Sequence, residues 1–272
     1  MAGNCKYYKR EMYVSMDSGQ TWSGTGVYSQ GALIESASTD CGYVPPTPPT
    51  PSYENQYLTF RALEDISFSR NGYSRGTIYY SLNSGSTWNS IGTYTSTPTI
   101  HSGQTIMWKG NQDGDNTLST FSSSGRFEVE GNAMSLVYGD NFSGQTTLSD
   151  SLALAELFDS SYDHLVSVEN MVLPATTLSQ WCYERMFWRC TSITTAPILP
   201  ATTLANGCYE NMFEDCNSLN SITCLATDIS ANGCTSNWLY GVAASGTFTT
   251  PSSTQWSSGV NGIPNGWTRV NI

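Results

Sequence analysis

The feature that most constrains this chain is a repeat. Leu173-Pro-Ala-Thr-Thr-Leu178 recurs unaltered as Leu199-Pro-Ala-Thr-Thr-Leu204, 26 residues on, and decays to Leu225-Ala-Thr-Asp-Ile229 after the same interval. The period also relates Cys182, Cys208 and Cys234, then Phe187, Phe213 and Leu239, then Cys190, Cys216 and Val242, while Met186 and Met212 give way to Trp238. A unit this short cannot bury its own apolar face, so neighbouring units must stack into one core. The expected unit has a short extended half, such as 193–199, and a helical half in which Leu204, Cys208 and Met212 fall at i, i+4 and i+8. The first unit, 152–158 with a return lengthened by three residues through Asp163 and His164, and the last, ending near Val242, are degenerate and read as caps. Six of the eight cysteines lie in this region. They are expected to be reduced, buried and core-filling, because Met1–Arg10 holds no secretory apolar stretch that would argue for an oxidising compartment.

Ahead of the repeats the chain falls into three pieces. Residues 1–43 form a short N-terminal segment with Cys5 and Cys41 near its ends, and their redox state is left open by the sequence. Residues 44–52, rich in Pro and Thr, prefer extended polyproline II and read as a semi-rigid linker. Residues 53–148 alternate short β-favouring runs with turn signals. Strands are expected at 57–62, 77–82, 105–109, 126–129 and 134–138, with Asn71-Gly72, Ser84-Gly85, Asp113-Gly114 and Ser124-Gly125 at turns. An antiparallel β-sandwich follows from that pattern. The repeat domain then occupies 149–272, C-terminal cap included.

Charge excludes several function classes. Only 12% of residues are charged and the net charge is −11, with three lysines in the whole chain. No basic surface exists to neutralise a nucleic-acid backbone or to dock on an anionic bilayer. No apolar run reaches the length of a membrane span, so a soluble chain made in the cytoplasm is expected.

The pattern Leu-Pro-Ala-Thr-Thr-Leu-Ala-x-x-Cys-Tyr-x-x-Met-Phe-x-x-Cys-x-Ser-Leu resembles the BspA-like class of leucine-rich repeats. Their core signature corresponds here to Met186-Phe187-x-x-Cys190 and Met212-Phe213-x-x-Cys216. The tail from Trp256 to Trp267 and the block from Trp108-Lys-Gly110 to Val137-Tyr-Gly-Asp140 are similar to parts of such proteins from gut Bacteroidetes and their phages, crAss-like phages included. The resemblance implies a surface adhesin or a fibre-like virion protein, without catalysis. The fold class expected is therefore mainly β: an N-terminal attachment segment, a Pro-rich linker, an antiparallel β-sandwich and a short BspA-type leucine-rich-repeat-like solenoid. The function expected is a phage virion structural protein, a head or tail fibre or decoration. It would meet other virion proteins through residues 1–43 and a host-surface glycan or protein through its C-terminal domain. A trimer is favoured by analogy with fibres. The alternatives are a bacterial cell-surface adhesin and, more remotely, a glycan-degrading enzyme.

Motifs that suggest chemistry have structural explanations. Ser15-Met-Asp17-Ser-Gly19-Gln-Thr-Trp22 and Ser81-Leu-Asn83-Ser-Gly85-Ser-Thr-Trp88 match the Asp-box of sialidase propellers. Their physical content is a hairpin whose Asp or Asn caps the turn, whose Gly takes positive φ and whose Trp packs beneath. Residues 111–116 gather oxygen ligands but lack the Glu that closes an EF-hand loop, and read as a hairpin tip. His101 and His164 have no metal-spaced partners. Glu128 and Glu130 share one strand face and read as a solvated edge. No catalytic residue, cofactor or metal is expected.

Positions that vary between the repeats are expected to face outward: Trp181 against Gly207, Arg185 against Asn211, Trp188 against Glu214 and Arg189 against Asp215. Two tryptophans and two arginines in one unit form a candidate binding surface. The competing explanation is that they cover the joint to the preceding β domain.

Overall fold

The computed structural model describes residues 5–14, 23–36, 53–71, 76–110, 120–159 and 161–272, with backbone alone at 5–14 and 23–36. The chain divides into two units at Pro51/Ser52. In the first, β1 (Cys5–Val14) and β2 (Ser23–Ser36) pair antiparallel as a hairpin with three register irregularities. The first Asp-box lies outside the described residues, as do the Pro-rich linker and the 111–116 cluster.

The second unit is mainly β. Its largest sheet has the order β11-β10-β3-β8-β5-β6, built from β3 (Leu58–Ala62), β5 (Ile78–Ser81), β6 (Asn89–Ile91), β8 (Thr105–Gly110), β10 (Phe127–Asn132) and β11 (Leu165–Val172). A second sheet, β7-β4-β9, joins β4 (Phe68–Asn71), β7 (Thr95–Ser96) and β9 (Thr120–Ser123). Phe60 of β3 lies at the centre of the core. Its ring is 5.2 Å from those of Phe68 and Phe121, which come from the second sheet, and 5.4 Å from that of Trp108.

Two expectations for this region are corrected. The sheet is not antiparallel throughout, because β11, arriving from beyond the first repeat unit, pairs in parallel with β10. Residues 134–138 do not form a strand: Ser135–Tyr138 is a single helical turn, α1. Asn132 Oδ1 accepts the Met134 N–H at 2.9 Å, and Ser135 Oγ both accepts from Leu58 N–H at 3.0 Å and donates to Trp108 O at 2.9 Å. These side chains take up backbone groups that a strand ladder would use, which is why polar residues at a turn override an apolar run.

Along residues 152–242 the apolar period of four is not a helix. Trp181, Arg185 and Arg189 have φ of 56°, 51° and 60°, a left-handed residue at every fourth position. Between them the N–H of Glu184, Met186, Trp188 and Cys190 each closes a turn onto the carbonyl three residues back. The N–H groups of Trp181, Tyr183, Arg185, Phe187 and Arg189 leave the segment and bond the carbonyls of Asn206, Cys208, Glu210, Met212 and Glu214 in the following unit at 2.8–3.0 Å. The same ladder runs from 207–215 to 232–240, and from 154–158 to 182–186. A turn that recurs every four residues places side chains inward at the same spacing as a helix face, and this explains the helical expectation. On the opposite rail the extended halves pair in parallel. Bridges at Thr195–Ser221 and Leu199–Cys224 lead into the sheet of β12 (Ser221–Thr223), β13 (Gly246–Thr250) and β14 (Trp267–Asn271).

Inside, like residues sit on like. Phe158, Phe187 and Phe213 stack at 5.6 and 5.3 Å, and Tyr183, Tyr209, Trp238 and Trp256 stack at 5.9, 6.0 and 5.4 Å. Phe158 also approaches Phe60 to 5.6 Å, so the stacked columns and the sheets share one core. Cys182, Cys190, Cys208, Cys216, Cys224 and Cys234 are free and buried. Burial holds all six thiols above their ordinary range, Cys182 and Cys224 at about 12. Several donate to backbone carbonyls, as Cys216 does to Phe187 O at 3.0 Å.

Candidate functional site

The left-handed positions mark one edge of the repeat, exposed at Trp181, Arg189, Asn237 and Gly241 but buried at Gly207 and Asn211, which were expected to face outward. Equivalent residues across units form three rows: Leu152, Trp181, Gly207 and Gly233; Glu156, Arg185, Asn211 and Asn237; Arg189, Asp215 and Gly241, all with φ between 51° and 73°. Later units fill these rows with Gly, Asn and Asp, the types that tolerate this backbone at least cost. The unit around 181–189 fills all three with large side chains. A left-handed backbone costs a non-glycine residue about 1–2 kcal/mol. Three of the four candidate residues thus occupy positions where folding alone would favour something smaller.

The structure brings three of the candidates into direct contact. Arg189 lies over the Trp188 ring at 4.1 Å and Arg185 is 5.8 Å from the same ring. Arg185 faces Glu156 at 3.9 Å and Arg189 faces Asp215 at 3.7 Å. The fourth, Trp181, is 39% exposed and seated on the next unit. A Cβ added at Gly207 would meet Trp181 Cδ1 at 2.1 Å and Nε1 at 2.3 Å, with Glu210 Oε2 3.2 Å away. Only a glycine at 207 leaves room for the indole, and the Glu210 carboxylate lies beside it.

Carboxylates surround this face. Glu184 is held above the ordinary carboxylate range chiefly by burial, with Glu210 and Glu156 adding to the shift and Arg185 opposing it. Glu156 and Glu214 shift in the same direction, again mainly through burial, against the pull of Arg185 on both and of Arg189 on Glu214. Leu152, Glu156, Glu184 and Glu210 belong to the surface as well and were not singled out from the sequence. The recurrence of Gly207, Asn211, Asp215, Gly233, Asn237 and Gly241 at four-residue intervals is the signal that marks the rows.

The other motifs are accounted for by packing. In the second Asp-box, Asn83 Oδ1 accepts from Thr87 N–H and Ser81 Oγ from Gly85 N–H, both at 2.9 Å; Ser84 and Gly85 take positive φ. Trp88 packs 4.9 Å from Tyr57 beneath Lys109, whose Nζ is 4.4 Å from the ring and 2.6 Å from Asp140. The box is a folded turn, as its residues suggest. Glu130 is 3.6 Å from Arg61 on the neighbouring strand. His101 contacts Asp65 at 3.0 Å, while His164 contacts the carbonyl of Ser123. Among the described residues no three His, Cys, Asp or Glu side chains converge on a point, and no helix is long and apolar enough to cross a membrane. The chain matches no family model, no curated protein and no solved structure.

Proposed function

We propose that this chain is a non-enzymatic phage virion protein, a head or tail fibre or decoration that attaches through residues 1–43 and presents the 181–189 surface to the host. In this reading 53–148 is a β-sandwich, 149–272 a short leucine-rich-repeat-like solenoid, and the particle-bound form a trimer. The observation that carries the adhesive part is the retention of Trp181, Arg185 and Arg189 at left-handed positions where the following units have Gly207, Asn211 and Asp215. Backbone strain kept at an exposed aromatic and cationic surface is explained by a use for those side chains outside the fold. The resemblance of the repeat to BspA-like proteins and the Pro-rich spacer at 44–52 support the attachment part.

Peptide mass spectrometry on purified phage particles, beside the membrane fraction of uninfected host cells, tests localisation. Stoichiometric peptides in particles support the proposal, and peptides confined to cell membranes replace it with a bacterial surface adhesin. Binding of the chain to host cells tests adhesion: Trp181→Ala with Trp188→Ala abolishes it in a chain that still folds cooperatively, with only the modest loss of stability that removing the seated Trp181 ring brings, whereas loss of stability with binding retained assigns the rings to packing. Release of sugar products from host polysaccharide would overturn the non-enzymatic reading.

A further inference from the structure

The chemistry of the 181–189 surface narrows its partner. Each arginine already faces a carboxylate of the chain, Arg185 with Glu156 and Arg189 with Asp215, and the Trp188 ring is covered by Arg189. The Trp181 indole, 39% exposed, is seated on Gly207 with Glu210 beside it, while the Arg185 and Arg189 side chains stay 44% and 49% exposed at the edges of their ion pairs. Glu210 and Glu156 both raise the Glu184 carboxyl, behind the larger effect of its burial. Glu156, Glu184, Glu214 and Asp215 thus interact with the two guanidinium groups, and Glu210 stands beside Trp181. An anion brought here meets net repulsion at distances shorter than the Debye length, about 8 Å in physiological salt. A cation over an aromatic face with carboxylates alongside gains from both.

Resting on the adhesive reading above, we propose that the Trp181 surface recognises a lysine side chain of a protein partner, its ammonium over the indole and against Glu210 and Glu184. Tryptophan and arginine anchors around a charged centre match the composition of protein interfaces. The net charge of −11 would speed the approach of a basic partner. A second copy of this chain, with three lysines in all, is a poor source of that group.

The test uses the full chain and a hexalysine peptide as probe, with Nε-acetylated hexalysine, hexaglutamate and a chitosan hexamer as comparisons, each titrated at low and high salt. The expected result is hexalysine bound at least about tenfold more tightly than its acetylated form, with affinity falling as salt rises. Non-specific attraction to an acidic chain is separated by variants. Trp181→Ala, which changes no charge, weakens hexalysine by about fivefold or more, the scale of a lost cation–π contact. Gly207→Ala does the same by displacing the ring, and Trp181→Phe retains part of the affinity. Equal binding to wild type and Trp181→Ala overturns the proposal, as does preference for hexaglutamate or for the acetylated peptide. Tighter binding of chitosan overturns the protein partner in favour of an amino sugar. None of these outcomes touches localisation or Trp181-dependent cell binding, so the adhesive reading stands or falls separately.

Discussion

Gly207→Ala is the sharpest probe of how the repeat holds its outer surface. Two costs are expected. Residue 207 has φ of 59°, and an alanine there pays the left-handed penalty, about 1 kcal/mol once the lower entropy of its unfolded chain is credited. The new methyl would also stand 2.1 Å from Trp181 Cδ1, so the indole has to swing away. Trp181 is 39% exposed, so most of its surface is covered in the wild type. Re-exposing about half of the covered area, roughly 50–75 Å², costs about 1–2 kcal/mol at about 25 cal/mol per Å². The total is about 2–3 kcal/mol, a fall of roughly 4–12 °C in melting temperature for a unit of this size. In a Trp181→Ala background the second cost vanishes and Gly207→Ala falls to about 1 kcal/mol, leaving a coupling of about 1–2 kcal/mol. Urea unfolding followed by far-UV circular dichroism on the four proteins measures it. A coupling below about 0.5 kcal/mol, the error of additivity, would refute the seating of Trp181 on Gly207.

Three further outcomes are expected. Glu156, Glu184 and Glu214 have folded-state carboxyls raised by burial, so their stabilising contribution is complete below the unfolded value near about 4.3 and is lost as pH rises through the raised folded value. The melting temperature should therefore be higher at pH 5 than at pH 7, and Glu184→Gln should flatten that difference; an unchanged profile in the variant would remove Glu184 from the account. The thiols of Cys182 and Cys224, pushed up to about 12 and buried, should resist Ellman's reagent at pH 8 until the chain unfolds, and rapid native labelling at either would contradict the packing of the columns. Phe187→Ala, removing a fully buried ring between Phe158 and Phe213, should cost about 3–5 kcal/mol in denaturant unfolding, and a cost under about 1 kcal/mol would mean the column is not continuous.

Much of this architecture can be read from residues, and the failures have physical causes. Exact recurrence of Leu-Pro-Ala-Thr-Thr-Leu exposes the stacked units because each unit repeats the same burial problem. The helical half is misread because consecutive four-residue turns place Cys182, Met186 and Cys190 inward at a spacing that a 3.6-residue period cannot be told from over three turns. The glycines and asparagines at 207, 211, 233 and 237 carry the missing information, since a helix has no use for a left-handed residue in every turn. Residues 134–138 read as a strand because their apolar content outweighs a single Asn at 132 whose side chain redirects the backbone. The parallel pairing of β11 with β10 is invisible locally: it depends on the first unit returning the chain to the sheet edge. The candidate surface was legible as the positions that vary between units, while its carboxylate surround was not, because it is assembled from three units.

The rows of left-handed residues also separate folding from recognition along one surface. Hydrogen bonds between units come mainly from the backbone, so they survive changes of side chain at 181, 185 or 189 other than to proline. Inward positions hold the stacked rings and thiols and are constrained by volume. The left-handed rows carry no stacked ring or thiol, and their backbone favours glycine, asparagine or aspartate, although Gly207 is buried beneath Trp181 and Asn211 is 8% exposed. In the later units that preference is met at Gly207, Asn211, Gly233, Asn237 and Gly241. At Trp181, Arg185 and Arg189 it is overridden, against a gradient of about 1–2 kcal/mol at each residue. The ion pairs to Glu156 and Asp215 are partly exposed and of a kind worth at most about 1 kcal/mol, too little to cancel the strain by themselves. The first unit departs in the same way, with Leu152 and Glu156 at φ of 63° and 54°, and the seat of Trp181 on Gly207 offsets strain at 181; the contact outside the fold proposed above is a further reason to keep large side chains at 185 and 189.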